Sequence, residues 1–273
     1  MSGEIPAFFG ILKSICMLTL KYRSNNRQLV ISIDVYVEKY GKVFVKAYDA
    51  SRKNTVYIDR YNSFKGNKNF LIRLPQSPKL LTIEIKSQNG YPLQIVKKEI
   101  LPLQTQMDAW DFKNKDISAF VIFCQSFADS AGYLSTGKYG DDTGKYEITY
   151  MPSITSSQTG KELNTPARIN SGTGLVQVSA KIFKTYTVSG RMAILLHEFC
   201  HVFANNDVTS ETEADFHAAQ IYCALGYPRV EILQVFGKVF YGADTDLNRL
   251  RLDKLTQFVN DFDNKITSVK YGK

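Results

Sequence analysis

Up to about residue 101 the chain alternates apolar and polar positions in short runs: ICMLTLKY, LVISIDVYV, KVFVKAY, TVYIDRY, FLIRL, LLTIEIKS and YPLQIVKKEIL. Residues that favour turns bound them, among them Ser24-Asn25-Asn26, Gly41, Gly66-Asn67, Pro75-Gln76-Ser77-Pro78 and Asn89-Gly90. A period of two sends successive side chains to opposite faces of a strand, one toward a core and the other toward water. Repeated through the first part of the chain, this pattern predicts an antiparallel β-sandwich, Ig-like or C2-like, over 1–104.

The alternation stops in PLQTQMDAWDFKNKD (102–116), and apolar residues then return at helical spacing. Ile117, Phe120, Val121, Cys124 and Phe127 form one stripe, ending near Gly132. The boundary is therefore a linker over 105–116, with a second domain over 117–273. Two strands are predicted in that domain, KYEITYM and GLVQVSAKIF, separated by the polar stretch SSQTGKELNTPARINSGTG. Helices are predicted at 188–204, 210–225, 228–240 and 245–264, which makes the fold class α+β.

Composition fits a globular chain of 273 residues, 44% hydrophobic and 22% charged. Cys16, Cys124, Cys200 and Cys223 are widely spaced, without a Cys-x-x-Cys pair, and read as free thiols of a reducing, intracellular compartment. The apolar run Phe8 to Leu20 contains Lys13 and follows Glu4, so it reads as a first strand instead of a signal peptide or membrane span. The net charge of +8 is uneven: residues 1–104 carry 17 Lys and Arg against 7 Asp and Glu, and the remainder carries 17 against 19. By charge this first part could favour nucleic acid or an acidic protein surface, or assembly into a homo-oligomer or larger complex, but a Lys-rich, solvated sheet face is the simpler reading of it. No recognised nucleic-acid module accompanies the charge.

The stretch LLHEFCHVF (195–203) places two of the chain's three histidines, with a glutamate, in an otherwise apolar run. Residues four apart share one face of a helix, so His197 and His201 can direct imidazole nitrogens at a single cation, for which zinc is suited. Glu198 is rotated about 100° from His197, beside the metal and off its ligand face, where it can take a proton from a metal-activated water. Cys200, inside the motif, reads as core packing.

A third ligand is needed nearby. Ser210 and Glu213 form a capping box that gives Glu213 a local structural role. On the helix that follows, positions 211, 214, 215, 218, 221, 222 and 225 form the buried stripe, so Glu211 and Asp215 face the histidine helix. Asp207 stands where a metzincin would place its third histidine, but Ala204 replaces the glycine which that turn requires. His217 falls on the other side of the helix.

HEFCH (197–201) followed by ETEAD (211–215) resembles the gluzincins, zinc peptidases with His-Glu-x-x-His on one helix and Glu-x-x-Ala-Asp on the next, including the CAAX-processing proteases and the repressor-cleaving ImmA group. The resemblance covers roughly 185–226. It implies a zincin-like metallopeptidase domain with one zinc held by His197, His201 and Glu211, and Glu198 as general base. Asp215 would then hold a ligand histidine by hydrogen bonding. Nine residues between His201 and Glu211 make a short hairpin, in which level matching could favour Asp215 as the ligand instead. In such domains an edge strand pairs with an extended substrate, a place GLVQVSAKIF would occupy. Tyr146 and Tyr150 are candidates for the oxyanion donor; Tyr222 lies too deep.

Two functional readings follow. One is a zinc metallopeptidase acting on a protein or peptide substrate. The other is a structural assembly component, since a sandwich joined to a compact zincin, Lys- and Asn-rich, bears a likeness of architecture to tail-ring proteins of crAss-like phages of Bacteroidetes; the protein would then reside in a virion.

Overall fold

The computed structural model describes residues 16–105, 115–241 and 245–262. Its first half is one five-stranded antiparallel sheet built on a long hairpin, β2 (Leu29–Asp49) and β3 (Val56–Leu74), with β1 (Met17–Tyr22), β4 (Leu81–Ser87) and β5 (Leu93–Pro102). β2 exchanges partners along its length. Residues 29–37 pair with β5 and residues 43–49 pair with β4, which in turn carries β1. β3 runs along the other side of β2 throughout, with a register break between Val37 and Gly41.

Two of the predicted turns are therefore bulges inside continuous strands. Gly66 sits within β3 at φ +81°, a conformation open to glycine, and lets the strand kink instead of ending. The kink is sharp. Arg60 Nη2 donates to the Leu71 carbonyl oxygen at 2.6 Å, although the two residues would stand about 35 Å apart on a straight strand. The ribbon thus folds back on itself, enclosing Ile31, Ile33, Val43, Val45, Ile58 and Ile72, all fully buried.

The second half contains α1 (Lys115–Ser130), then a four-stranded mixed sheet in the order β6 (Gly137–Gly140), β7 (Glu147–Met151), β9 (Val176–Ser179), β8 (Ala167–Ile169). β7 and β9 are parallel; the other pairs are antiparallel. The short α2 (Ala180–Phe183) leads into α3 (Val188–Phe203), α4 (Glu211–Ala224), α5 (Arg229–Tyr241) and α6 (Asp246–Asn260), close to the predicted helices. The architecture is α+β. Of GLVQVSAKIF, expected to be one strand, only Val176–Ser179 is extended, as the inner strand β9, while Ala180–Phe183 turn into α2; the sheet's edges are β6 and β8, and β8 comes from the polar stretch between the two predicted strands.

Residues 106–114 of the expected linker lie outside the described residues. Across that division the halves are tied together. Asp129 on α1 accepts from Tyr57 Oη at 2.6 Å and Arg52 Nη2 at 2.8 Å, and the buried Ser189 on α3 donates its hydroxyl to the Tyr57 carbonyl at 3.4 Å. The buried apolar side chains of both halves form one contiguous cluster. No described helix is long and apolar enough to cross a membrane.

Candidate metal centre

α3 carries the two histidines and is buried along most of its length, with Leu195, Leu196, Phe199 and Cys200 fully enclosed. Thr187 caps it, its hydroxyl accepting from Gly190 N at 3.0 Å. Beyond its C-terminus a tight loop delivers α4. Asn205 donates to the Ser210 carbonyl at 3.1 Å and its Oδ1 lies 2.9 Å from His217 Nδ1. Ser210 caps α4 as expected, accepting from Glu213 N at 3.3 Å. The reciprocal half of the box differs. The Ser210 amide already donates to the Asp207 carbonyl, so the Glu213 carboxylate accepts from Asn206 N and Asp207 N and fastens the loop. Asp207 is exposed and spends its carboxylate on Thr209.

This turn brings three donors together. His197 Nε2 and His201 Nε2 are 3.3 Å apart, Glu211 Oε2 is 3.4 Å from the first, and Oε1 is 3.6 Å from the second. One ligand atom from each residue can be chosen so that all lie within 4.8 Å of one another. Asp215 stands elsewhere, with Oδ1 3.1 Å from His197 Nδ1, on the far side of the ring from that cluster. Glu198 is partly buried beside His197, with the Ile169 backbone of β8 near enough to favour its ionised form.

The chemistry of the donor set fits a divalent cation. Val208 O, 3.0 Å from His201 Nδ1, can only accept, so Nδ1 carries the proton and Nε2 presents a lone pair. That lone pair, the facing Nε2 of His197 and an ionised carboxylate repel one another unless positive charge sits among them. A proton on His197 is one such charge. Burial pushes His197 down, but Asp215 and Glu211 outweigh it and hold the imidazolium up to about 10. His201 is lowered by burial and by the neighbouring His197 charge, and Glu211 is held down to about 2, chiefly by His197. Glu198 is raised, first by burial, with His197 opposing and Glu211 adding to the rise. A carboxylate shifted upward in this way is a better proton acceptor at neutral pH.

A cleft of about 580 Å³ opens over these groups, walled by Ala167, Ile169, Ile194, Phe236 and Val239. β8 forms one rim. It is held against α3 by the β8–β9 turn, where Gly174 at φ +69° lies so close to Phe203 that a Cβ would approach its Cζ to 3.2 Å. None of the three tyrosines considered as oxyanion donors lines the cleft. Tyr150 Oη donates to Ala131 O, Tyr222 Oη to Pro228 O, and Tyr146 is packed among Phe120, Phe199 and Phe203.

One participant escaped the sequence reading. Arg251 on α6, buried, donates Nε to Asp215 Oδ2 at 2.7 Å, and Nη2 to Asp215 Oδ1 and to Glu211 Oε2, each at 3.0 Å. Its signal was present: Arg251 shares a stripe with the buried Leu255, Val259 and Phe262, as Glu211 and Asp215 share theirs with apolar residues. No protein-family model matches the chain, and no curated protein is significantly similar to it.

Proposed function

We propose that the chain is a zinc-dependent metallopeptidase of gluzincin type, with a zincin-like second domain. The observation that carries this reading is the convergence of His197, His201 and Glu211 from two helices beneath a cleft rimmed by an edge strand. Zinc held by these three side chains would supply Lewis acidity, lowering the pKa of water and polarising the scissile carbonyl. Glu198 accepts the proton of the attacking water and returns it to the leaving amine. The β8 backbone offers an extended substrate hydrogen-bond partners along the cleft. Asp215 keeps His197 oriented through Nδ1, leaving Nε2 for the cation.

The test is Glu198→Gln. It should retain one zinc per chain and the unfolding midpoint of the parent while losing at least a hundredfold in hydrolysis of flexible protein substrates such as casein. Wild-type protein that holds zinc but cleaves no member of a broad peptide panel would overturn the enzyme reading.

The structural-assembly alternative has an observation of its own. β5 is an edge strand with Val96 and Ile100 more than half exposed and Leu101 nearly so, an unusual surface for a chain that acts alone. Sedimentation over a range of concentrations separates the two readings, since a ring or virion component self-associates while Glu198→Gln leaves that behaviour unchanged.

A further inference from the structure

A second cleft, of about 690 Å³, lies away from the histidines, between the two arms of the kinked β3 and the turn joining α4 to α5. Arg60, Lys68 and Arg73 line it, and among the described residues no carboxylate does; Glu231 acts on Arg60 from the core. Arg229 joins them at the start of α5, its guanidinium 5.2 Å from the Phe262 ring. Among the described residues neither Lys68 nor Arg73 has an ion-pair partner.

Three further features restrict what such a cleft can hold. β3 is the last strand of its sheet, and among the described residues no strand pairs with its outer edge, so backbone donors and acceptors run along the opening, the Leu71 carbonyl among them being taken by Arg60. Apolar side chains are interleaved with the cations: Tyr61, Leu71 and Val230 are each more than a third exposed here. The N-terminus of α5, with its positive end, closes the opposite wall. An isolated phosphate would leave the apolar groups and the strand edge unused. A polynucleotide would want stacking faces and a longer cationic track. An extended peptide in which acidic and apolar side chains alternate uses all three features.

We infer that this cleft docks an extended acidic peptide segment, which adds as a strand to the outer edge of β3. α5 stands between this cleft and the metal cleft, presenting Val230 and Gln234 to one and Phe236 and Val239 to the other. A protein gripped at β3 therefore lies one helix away from the histidines. The inference concerns a separate surface and does not depend on the metal reading.

The probe is a fluorescein-labelled octapeptide alternating Glu with Val, titrated with the full chain by anisotropy at low ionic strength. Lys68→Glu/Arg73→Glu should weaken binding at least tenfold; Lys86→Glu/Lys98→Glu, the same charge change on exposed positions outside the cleft, should weaken it less than twofold. Of two peptides N-methylated at alternate backbone amides, in opposite phases, one should lose at least tenfold and the other less than threefold, because only one peptide edge faces β3. Circular dichroism and zinc content, recorded for each variant, keep misfolding and the metal site distinguishable from docking. The inference is overturned by no measurable binding, by equal losses in the two double variants, or by indifference to both methylation patterns. It is also overturned if tripolyphosphate or oligothymidine displaces the peptide at lower concentration than unlabelled peptide does.

Discussion

Arg251 and Asp215 form a two-pronged ion pair, 2.7 and 3.0 Å, in which both side chains are less than a tenth exposed. The pair reaches from α6 to the back of the histidine cluster, because Asp215 also touches His197 Nδ1. An uncompensated carboxylate at that depth is expensive, and breaking a buried pair by removing one partner costs about 3–5 kcal/mol. Arg251→Met should lower stability by about that amount in urea denaturation. Arg251→Lys should recover only part of it, since an ammonium cannot bridge both Asp215 oxygens and Glu211 in one plane. A Lys variant as stable as wild type would show that charge alone matters there, and equal stability of the Met and Lys variants would show that charge without the guanidinium's two-pronged geometry contributes nothing.

Zinc affinity should separate the two acids of α4. Glu211 faces both Nε2 atoms, whereas Asp215 addresses His197 through the opposite nitrogen. Glu211→Ala should abolish stoichiometric zinc, and Asp215→Ala should weaken it by about tenfold to a hundredfold. Competition against a chromogenic chelator measures both. The reverse ranking would make Asp215 the ligand.

The sequence exposed the chemistry of the site more fully than its scaffold. His197, His201 and Glu211 were legible because polar groups on an apolar helical stripe require a reason, and four-residue spacing supplies one. Arg251 met the same criterion and passed unnoticed, since its partners are 36 and 40 residues away in the chain. In the sheet, alternation located the β-segments but could not tell a turn from a kink: Gly41 and Gly66 read as chain reversals, whereas pairing across the hairpin carries both strands through them. β8 was hidden because three residues at a sheet edge, half covered by α3, need no alternation of their own.

Glu231 offers a pH test independent of the metal. It is buried at the start of α5, with Thr187 donating to Oε2 and Oε1 left without a hydrogen bond. Burial raises its carboxyl to about 7 from 4.5, against the opposing pull of Thr187 and Arg60. The folded state thus prefers the protonated form. Its contribution to stability is fully present below about pH 4.5 and is lost as pH rises through 7, leaving a cost of about 3 kcal/mol in alkaline solution. Glu231→Gln keeps an acceptor for Thr187 without the charge. It should be more stable than wild type at pH 8, with the difference closing below pH 5. A pH-independent difference would mean that Glu231 is not the titrating group.

The two halves should stay together after the chain between them is cut. Tyr57, 2% exposed, gives its hydroxyl to Asp129 across the division, and Arg52 secures the same carboxylate. Asp129→Ala leaves the Tyr57 hydroxyl buried without its acceptor, at about 1–3 kcal/mol, whereas Tyr57→Phe removes the donor and leaves Asp129 still paired with Arg52, at about 1 kcal/mol. With a specific protease site placed between 105 and 115, cleaved wild type should elute from a sizing column as one particle under native conditions. Cleaved Asp129→Ala should dissociate at a lower urea concentration than cleaved wild type. Separation of the wild-type fragments without denaturant would mean that the shared core is too weak to hold the halves, and that the linker does the holding.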